Sequence, residues 1–392
     1  MADHQEKPVI HARDFVESAR ERGYDHYAGV PCSLLTPFIN YVIGAGHLNY
    51  VSAANEGDAV AIAAGAWIGG RRGVAMMQNS GLGNAVSPLT SLTYAFRIPV
   101  LIVCTHRGAP GVADEPQHEL MGRITGALFD TIDVPWTTFP REPAAIPWVL
   151  DAVERAAQSR RSYALVMEKD TCEPYPLPAV PARTQPVSDP IEGRGHVLGV
   201  AARPSRMAAL EAIAAASDDE HTVIVATTGY TGRELYAIAD RASHLYIVGS
   251  MGCASSLALG LALTRPDLRV IIADGDGAAL MRMGNLATIG AYAPANLVHV
   301  VLDNEAHDST GAQATVSGAI DLAGIAAACG YRRILRTDAV EELRFFLSSS
   351  ERSGPCFAHM KIGTGTLDKL PRPTLAPPAV LDRLMTHIGT AT

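Results

Sequence analysis

Lysine is scarce in this chain of 392 residues. Only four of its 32 basic residues are lysines, so 28 are arginines, and the net charge is −8 with charged residues at 18%. A protein that binds nucleic acid needs a basic surface to neutralise phosphates, and this balance of charge does not supply one. The composition therefore excludes nucleic acid as the partner and favours fixed recognition of carboxylate or phosphate-like groups by arginine.

Long apolar runs and paired cysteines are also missing. No apolar run reaches the ~18–20 residues that a membrane span needs, and the polar start MADHQEKPV lacks the apolar core of a signal peptide. The six cysteines are scattered, with neither a Cys-x-x-Cys pair nor zinc-ligand spacing. These absences predict a cytoplasmic protein without a membrane partner, whose cysteines are reduced and packed in cores.

What the sequence does contain is a repeated alternation of short apolar runs and helical stretches. The runs end in glycine or polar residues, which is typical of parallel strand-helix units, and the length suits two domains. In the first half the predicted strands are 49–54, 73–77, 98–104 and 162–168. In the second half they are 222–227, 245–249, 269–273, 297–302 and 355–362.

Closely spaced prolines separate the two halves. Six prolines between positions 174 and 190 are too close together for a helix or a central strand. The predicted fold is therefore α/β, with two domains that are each a mainly parallel sheet flanked by helices. The predicted parts are a first domain at 1–180, a Pro-rich linker at 181–205, a second domain at 206–370 and a tail at 371–392.

Polar residues follow two predicted strands of the second half. RVIIADGDG ends in Gly275-Asp276-Gly277, and 25 residues later LVHVVLDN ends in Asp303-Asn304. Parallel strands lie about 4.8 Å apart and end at one edge, so Asp276 and Asn304 can reach one small ion such as Mg²⁺. Glycines let a diphosphate approach the backbone closely. A dinucleotide motif would need a third glycine where Leu280 stands, which argues against a nicotinamide-dependent dehydrogenase.

This pair of motifs resembles the signature of the thiamine-diphosphate-dependent 2-oxoacid decarboxylases. The resemblance implies thiamine diphosphate and Mg²⁺ as cofactors, with Asp276, Asn304 and the backbone carbonyl of Ala306 as metal ligands. Gly275 and Gly277 would then lie at the diphosphate. Asp303 stands where the family commonly has asparagine, and its part in the metal site stays open.

The same resemblance implies residues for the other end of the cofactor. The aminopyrimidine must share a proton with a carboxylate. Glu56, ahead of an alanine-rich helix, is the predicted catalytic acid, although an acid at a helix start can also merely complement the helix dipole. After another strand comes Gly249-Ser250-Met251-Gly252, in which Met251 resembles the apolar residue that bends the cofactor. A methionine at this position could otherwise be a simple core residue.

Further motifs resemble a two-domain branch of this family that acts on 2-oxoacids with an anionic group on C3. They are GVPCSLL, MQNSGLGN, THRG, DEPQH, HDSTGAQ and LPRPT, and they extend over essentially the whole chain. The predicted substrate residues lie in these motifs: Ser33, Gln78, Asn79, Ser80, His106, Arg107, His307 and Asp308. Pairing of Arg107 with Asp114 or Glu115 is an equal alternative, and His118 has the weakest case.

The implied reaction is the decarboxylation of 3-phosphonopyruvate to phosphonoacetaldehyde and CO₂, in the biosynthesis of phosphonate antibiotics and related natural products. Decarboxylation of sulfopyruvate, or the ligase chemistry of acetolactate synthases, is the alternative within the family. A non-catalytic α/β nucleotide-binding protein is the alternative from another class. The resemblance further implies a homodimer or higher homo-oligomer with active sites at subunit interfaces. It also implies that the linker replaces the third domain of larger relatives.

Overall fold

The structure is a computed structural model that describes residues 9–179, 187–217, 220–349 and 353–391. The polar amino-terminal start and part of the predicted linker lie outside these residues. The chain divides into two compact units, one of Met1–Trp67 with Arg71–Ala182 and one of Ile68–Gly70 with Arg183–Thr392. Each unit contains a parallel sheet flanked by helices, which confirms the predicted fold class.

The first unit is built on a parallel sheet of six strands in the order β2-β1-β3-β4-β6-β5. Its strands are β1 Tyr24–Gly29, β2 Asn49–Ser52, β3 Arg72–Met77, β4 Leu101–Thr105, β5 Trp136–Thr138 and β6 Tyr163–Met167. Its helices are α1 Ala12–Glu21, α2 Thr36–Gly44, α3 Glu56–Ile68, α4 Leu82–Pro88, α5 Tyr94–Phe96, α6 Glu119–Thr131 and α7 Ile146–Gln158.

The central strands of this sheet are buried on both faces. All five residues of β4 are buried, which explains why it is a continuous apolar run rather than an alternating one. On one side of the sheet the rings of Phe15, Phe38 and Phe139 pack together, with centroids 4.4 to 5.9 Å apart. This packing fixes the strands from which the polar loops of the unit extend.

The second unit contains a parallel sheet of seven strands in the order β7-β14-β15-β11-β10-β8-β9, and a small antiparallel hairpin of β12 and β13. Its strands are β7 Glu192–Gly195, β8 Thr222–Ala226, β9 His244–Tyr246, β10 Arg269–Gly275, β11 Leu297–Asp303, β12 Ala306–His307, β13 Gln313–Ala314, β14 Arg333–Thr337 and β15 Cys356–Lys361. Its helices are α8 Arg206–Ala215, α9 Tyr230–Ile238, α10 Cys253–Thr264, α11 Asp276–Met281, α12 Gly284–Tyr292, α13 Leu322–Cys329, α14 Val340–Ser348 and α15 Pro377–His387.

Both sheets repeat one strand order. In the first sheet β1 lies between β2 and β3. In the second sheet β8 lies in the same way between β9 and β10. Open parallel sheets bind ligands at such a reversal, beyond the carboxyl ends of the two central strands. The loops at these points contain Ser33 and Gln78 in the first unit, and Gly229 and Asp276 in the second.

All nine strands predicted from the apolar runs are present, with ends shifted by at most three residues. The prediction missed β1 and β14, which contain polar residues, and β5, β12 and β13, which are only two or three residues long. β7 lies inside the segment predicted as linker, where it pairs with β14 at the edge of the sheet. An edge position tolerates its polar and glycine residues. The remaining domain boundaries stay a prediction.

No helix in the described part of the chain combines the length and the apolar character that crossing a bilayer would require. The last helix, α15, is amphipathic and buries Val380, Leu381 and Leu384. The tail predicted from the proline-rich segment therefore includes a packed helix.

Candidate active site

Loops from several strands of the second unit line a single cleft. These loops follow β8, β10 and β11, which are neighbours in the sheet. The predicted residues that line the cleft are Met251, Gly275, Asp276, Gly277, Asn304, Ala306, His307 and Asp308. The structure thus brings together the residues predicted for the metal, the diphosphate and the bend of the cofactor.

Asp276 provides the buried carboxylate of this cleft. It is the first residue of α11, is 3% exposed, and its Oδ2 accepts hydrogen bonds from Thr315 Oγ1 at 2.5 Å and Ser317 Oγ at 3.1 Å. Burial raises the pKa of Asp276, and in the described part of the chain no basic side chain pairs with it. An uncompensated buried carboxylate is costly, so a bound divalent cation would stabilise this arrangement.

Asn304 and Ala306 offer further oxygen atoms in the same cleft. Asn304 Nδ2 donates to Asp308 Oδ2 at 2.7 Å, and Asn304 Oδ1 accepts from the Ala306 amide at 3.2 Å. A carboxylate, an amide oxygen and a backbone carbonyl are hard donors that suit Mg²⁺ rather than a transition metal. No group of three or more His, Cys, Asp or Glu side chains is arranged for a metal ion within the described ranges. The oxygen donors that line the cleft nevertheless fit the predicted Mg²⁺, and the individual ligands stay a prediction.

Asp303 supports this loop through both of its carboxylate oxygens. Oδ2 accepts from His359 Nε2 at 2.7 Å and from Lys361 Nζ at 2.8 Å, while Oδ1 accepts from Ser317 Oγ at 2.7 Å and the Glu305 amide at 2.9 Å. Burial alone would raise its pKa, but the bonds from His359 and Lys361 outweigh burial and hold the pKa well below the usual range. The carboxylate left open by the sequence is therefore held by the residues around this loop, and its part in a metal site stays untested.

Met251 reaches the cleft from a tight turn after β9. Ser250, at φ +47°, and Gly252, at φ +87°, both have left-handed backbone conformations, and together with Gly249 they form this turn. A Cβ atom at Gly277 would lie 3.1 Å from Met251 Cε and 2.5 Å from His307 Cε1. Gly277 is therefore required for these two side chains to pack over the start of α11.

One part of the cleft, the loop that follows β8, was not predicted from the sequence. Thr227, Thr228 and Gly229, the last at φ +93°, line it. The same strand-end rule that found Asp276 applies to them, because the strand at 222–227 was predicted.

A buried arginine of the cleft carries no sequence signal. Arg206 is 6% exposed and donates to Glu234 Oε1 at 3.0 Å and to Asp308 Oδ2 at 2.5 Å. Asp308 was predicted to contact the substrate or relay a proton. Its Oδ2 instead links Arg206 to Asn304, which argues against a free carboxylate at this position.

In the first unit, Glu56 is held at the loop that follows β3. β2 ends at Ser52, so Glu56 begins α3 rather than ending a strand. Asn84 Nδ2 donates to Glu56 Oε2 at 2.8 Å. Gly81 lies directly against the carboxylate, because a Cβ atom there would be 2.0 Å from Glu56 Oε1. The structure thus holds this carboxylate between a hydrogen-bond donor and a glycine that leaves room for it.

Arg107 is at the centre of a hydrogen-bonded cluster in the same unit. Its Nε donates to Asp114 Oδ2 at 2.7 Å, its Nη2 donates to Asp114 Oδ1, and its Nη1 donates to Ser33 Oγ at 3.0 Å. The guanidinium holds the pKa of Asp114 well below its ordinary value. Pairing of Arg107 with Asp114, the alternative that the sequence left open, is therefore present.

Gln78 and His118 extend this cluster. Gln78 Nε2 donates to Ser80 Oγ at 2.5 Å and lies 3.2 Å from His118 Nε2, and Gln78 Oε1 accepts from Cys32 Sγ at 3.1 Å. The other ring nitrogen of His118 lies 3.0 Å from Asp114 Oδ1. His118, the weakest candidate from the sequence, is thus part of the same network.

Asn79 and His106 support the Arg107 loop from beneath. Asn79 is fully buried; its Nδ2 donates to the Arg107 carbonyl at 2.8 Å and to Thr125 Oγ1 at 3.0 Å, and its Oδ1 accepts from the Arg107 amide at 3.1 Å. His106 Nε2 donates to the Gly122 carbonyl at 2.8 Å. These bonds hold Asn79 and one ring nitrogen of His106 against the loop, and the substrate contacts expected of both residues stay a prediction.

Comparison with protein families matches both halves of the chain. The family model described as the thiamine pyrophosphate enzyme, N-terminal TPP binding domain, matches residues 11–127. The model described as the thiamine pyrophosphate enzyme, C-terminal TPP binding domain, matches residues 227–360. The second match contains the cleft around Asp276, and the first contains Glu56.

Curated relatives are similar over nearly the full length. The chain is 44% identical over 388 residues to a phosphonopyruvate decarboxylase of Streptomyces viridochromogenes, covering 97% of this chain and 96% of that protein. It is 43% identical over 378 residues to a phosphonopyruvate decarboxylase of Streptomyces hygroscopicus, covering 96% and 93%. A sulfopyruvate decarboxylase of Methanosarcina acetivorans is 30% identical over 360 residues, covering 89% and 90%.

Solved structures share the fold. A thiamine diphosphate-dependent 4-hydroxybenzoylformate decarboxylase of Rhodococcus jostii RHA1 is matched over 92% of this chain and 100% of that chain with a TM-score of 0.68. A benzoylformate decarboxylase of Polynucleobacter necessarius is matched over 93% and 100% with a TM-score of 0.69. Both are 13% identical in sequence, so these likenesses concern the fold alone.

Proposed function

The chain belongs to the thiamine pyrophosphate enzymes, among which it is a thiamine-diphosphate-dependent 2-oxoacid decarboxylase, and we propose that its substrate is 3-phosphonopyruvate. The products would be phosphonoacetaldehyde and CO₂. We further propose Mg²⁺ as the metal and phosphonate natural-product biosynthesis as the setting. Membership in an enzyme family sets aside the non-catalytic nucleotide-binding alternative.

The observation that carries the proposal is the convergence of residues on the cleft of the second unit. Asp276, Asn304 and Ala306 come from two strand ends and line the same cleft as Met251. A buried carboxylate and two further oxygen ligands suit Mg²⁺. The glycines at the start of α11 let a diphosphate approach the backbone closely. If Gly275–Gly277 were only a turn between β10 and α11, these residues would have no reason to line one cleft together.

Each residue has a role that follows from its chemistry. When bound, thiamine diphosphate would supply a thiazolium ring that takes up the electron pair released with CO₂. Asp276, Asn304 and the Ala306 carbonyl would hold Mg²⁺ and thereby the diphosphate. Glu56 would exchange a proton with the aminopyrimidine, and Met251 would hold the two rings in their bent arrangement.

The choice of a phosphonate substrate is supported by the relatives. The two phosphonopyruvate decarboxylases are 43–44% identical to this chain, whereas the full-length sulfopyruvate decarboxylase is 30% identical. Ser33, Gln78, Ser80, Arg107 and His307 remain the proposed substrate contacts. Arg107 also binds Asp114, so it would act as part of a charge-neutralised cluster rather than as an isolated cation.

A turnover assay tests the proposed substrate. Phosphonopyruvate, sulfopyruvate and pyruvate are supplied separately with thiamine diphosphate and Mg²⁺, and CO₂ release is measured. We expect kcat/KM for phosphonopyruvate to exceed that for pyruvate by at least about 100-fold, because pyruvate lacks the head group and one ionic contact to it can contribute about 3 kcal/mol. We also expect phosphonopyruvate to have a higher kcat/KM than sulfopyruvate. Faster turnover of sulfopyruvate would assign the alternative substrate, and no turnover of any of the three would contradict the proposal.

We also propose a homodimer in which Glu56 of one chain serves the cofactor held by Asp276 of its partner. Mixing the Glu56→Gln and Asp276→Asn variants, each inactive alone, should then restore activity, because a mixed dimer contains one site with both native residues. With random exchange of subunits we expect about a quarter of wild-type activity. If exchange is demonstrated by light scattering or mass spectrometry and no activity returns, the shared site is wrong.

A further inference from the structure

A second cleft adjoins the candidate active site in the same unit. It lies beyond the carboxyl ends of β8 and β9 and is closed on one side by residues 370–376, which we call the strap, ahead of α15. The strap cleft and the cleft around Asp276 share Thr228, Gly229, Tyr230 and Ser309. A ligand in one cleft is therefore next to a ligand in the other.

The strap cleft is chemically suited to an anion. Two arginines, Arg233 and Arg372, line it, and among the described residues none of its lining side chains is a carboxylate. The remaining polar side chains are hydroxyls, from Thr228, Tyr230, Tyr246 and Ser309. Guanidinium and hydroxyl groups donate hydrogen bonds, which is what an oxyanion requires.

Arg233 fixes the strap rather than facing a ligand. Its Nε donates to the Pro371 carbonyl at 3.0 Å and its Nη2 donates to the Leu370 carbonyl. On the far side, Tyr236 OH donates to Thr374 Oγ1 at 3.4 Å. The strap is therefore tied to α9 through its backbone before Arg372 and through the Thr374 side chain after it.

Arg372 itself has no hydrogen bond or ion pair within the described chain. Arg206, which lines the neighbouring cleft, differs from Arg372 because it forms ion pairs with Glu234 and Asp308. Arg372 thus presents an uncompensated positive charge, on an anchored backbone, to a cleft without carboxylates.

We propose that Arg372 binds a phosphorus oxyanion in the strap cleft. The oxyanion is either the C3 phosphonate of the substrate or the terminal phosphate of the cofactor, two groups with the same tetrahedral chemistry. A guanidinium can bind two oxygens of such a group at once, whereas a lysine binds as a point charge. This inference rests on the proposed function.

The experiment compares Arg372→Ala and Arg372→Lys with the wild type. Lys369→Ala is the matched control, because Lys369 is an exposed cation immediately before the strap and does not line the strap cleft. Binding is followed by calorimetry with thiamine diphosphate plus Mg²⁺, and with 3-phosphonopropionate, which has both acidic groups but no ketone. KM for phosphonopyruvate is measured at saturating cofactor.

If the substrate phosphonate is the ligand, Arg372→Ala should raise the 3-phosphonopropionate Kd and the phosphonopyruvate KM about 10–100-fold, with unchanged cofactor Kd. If the cofactor phosphate is the ligand, the cofactor Kd should rise by the same factor, with unchanged KM at saturation. In either case Arg372→Lys should recover part of the loss, and Lys369→Ala should match the wild type.

The inference is overturned if Arg372→Ala leaves both Kd values and KM within about twofold of the wild type, or if Lys369→Ala produces the same losses. Failure of the proposed function has a different signature. In that case the wild type would not turn over phosphonopyruvate with both cofactors present. The calorimetric comparison of the wild type with the Arg372 variants would still show whether Arg372 binds an oxyanion.

Discussion

Replacing Asp276 by asparagine is expected to weaken Mg²⁺-dependent binding of thiamine diphosphate by at least roughly 100-fold. The substitution keeps the size of the side chain but removes the Asp276 carboxylate from the cleft. Titration of the apo protein with cofactor, with and without Mg²⁺, by calorimetry measures the loss. Decarboxylation at ordinary cofactor concentrations should disappear with it.

Stability separates this loss from unfolding. In the apo protein Asp276 is buried and has no basic partner in the described part of the chain. Removing its charge should therefore leave the apo protein at least as thermally stable as the wild type. Glu211→Gln, which neutralises an exposed acid on α8 of the same unit, should change neither cofactor binding nor stability. Unchanged Mg²⁺ dependence in Asp276→Asn would contradict its role as metal ligand.

Replacing Glu56 by glutamine should lower kcat for decarboxylation by about 10²–10⁴-fold, the usual range for loss of a positioned acid-base group. Glutamine keeps the shape and can still accept the hydrogen bond from Asn84. The Kd for thiamine diphosphate should change only a few-fold, because the residues proposed to bind the diphosphate are unchanged in this variant. Steady-state CO₂ release and calorimetry together test both parts. Wild-type kcat in this variant would show that Glu56 is not the activating acid.

Gly81 allows the position of Glu56 to be tested without changing its chemistry. The Gly81 backbone, at φ −82°, accepts any residue, but a Cβ atom would be 2.0 Å from Glu56 Oε1 and must displace it. We expect Gly81→Ala to lose most of the activity. Gly83→Ala is the matched control in α4, because nothing lies within 4 Å of its added Cβ, and alanine favours a helix. Equal activity of the two variants would argue against a fixed Glu56 carboxylate.

The chemistry of the second unit could largely be predicted from the sequence, because it depends on strand ends. Parallel strands are recognisable as short apolar runs, and the residues that follow them must meet at one edge of the sheet. That rule is sufficient to place Asp276 and Asn304 in one cleft. It also applies to Thr227–Gly229, which the sequence analysis passed over.

The contacts of individual side chains could not be predicted in this way. Asp303 is adjacent to a predicted ligand, yet His359 and Lys361, far along the chain on β15, take up its Oδ2. Arg107 was equally compatible with an anion or an acidic partner, and only the structure shows that it pairs with Asp114. Hydrogen-bond partners distant in sequence are set by packing, which local patterns do not encode.

The sequence by itself therefore determined the fold class, the cofactor family and the strand ends that carry the site, because these follow from apolar periodicity and local motifs. Only the tertiary structure decided the common strand order of the two sheets, the support of the Asn304 loop by Asp303 and the anchored strap that presents Arg372. These features depend on which strands become neighbours and on which polar groups are buried together, and both are properties of the packed chain.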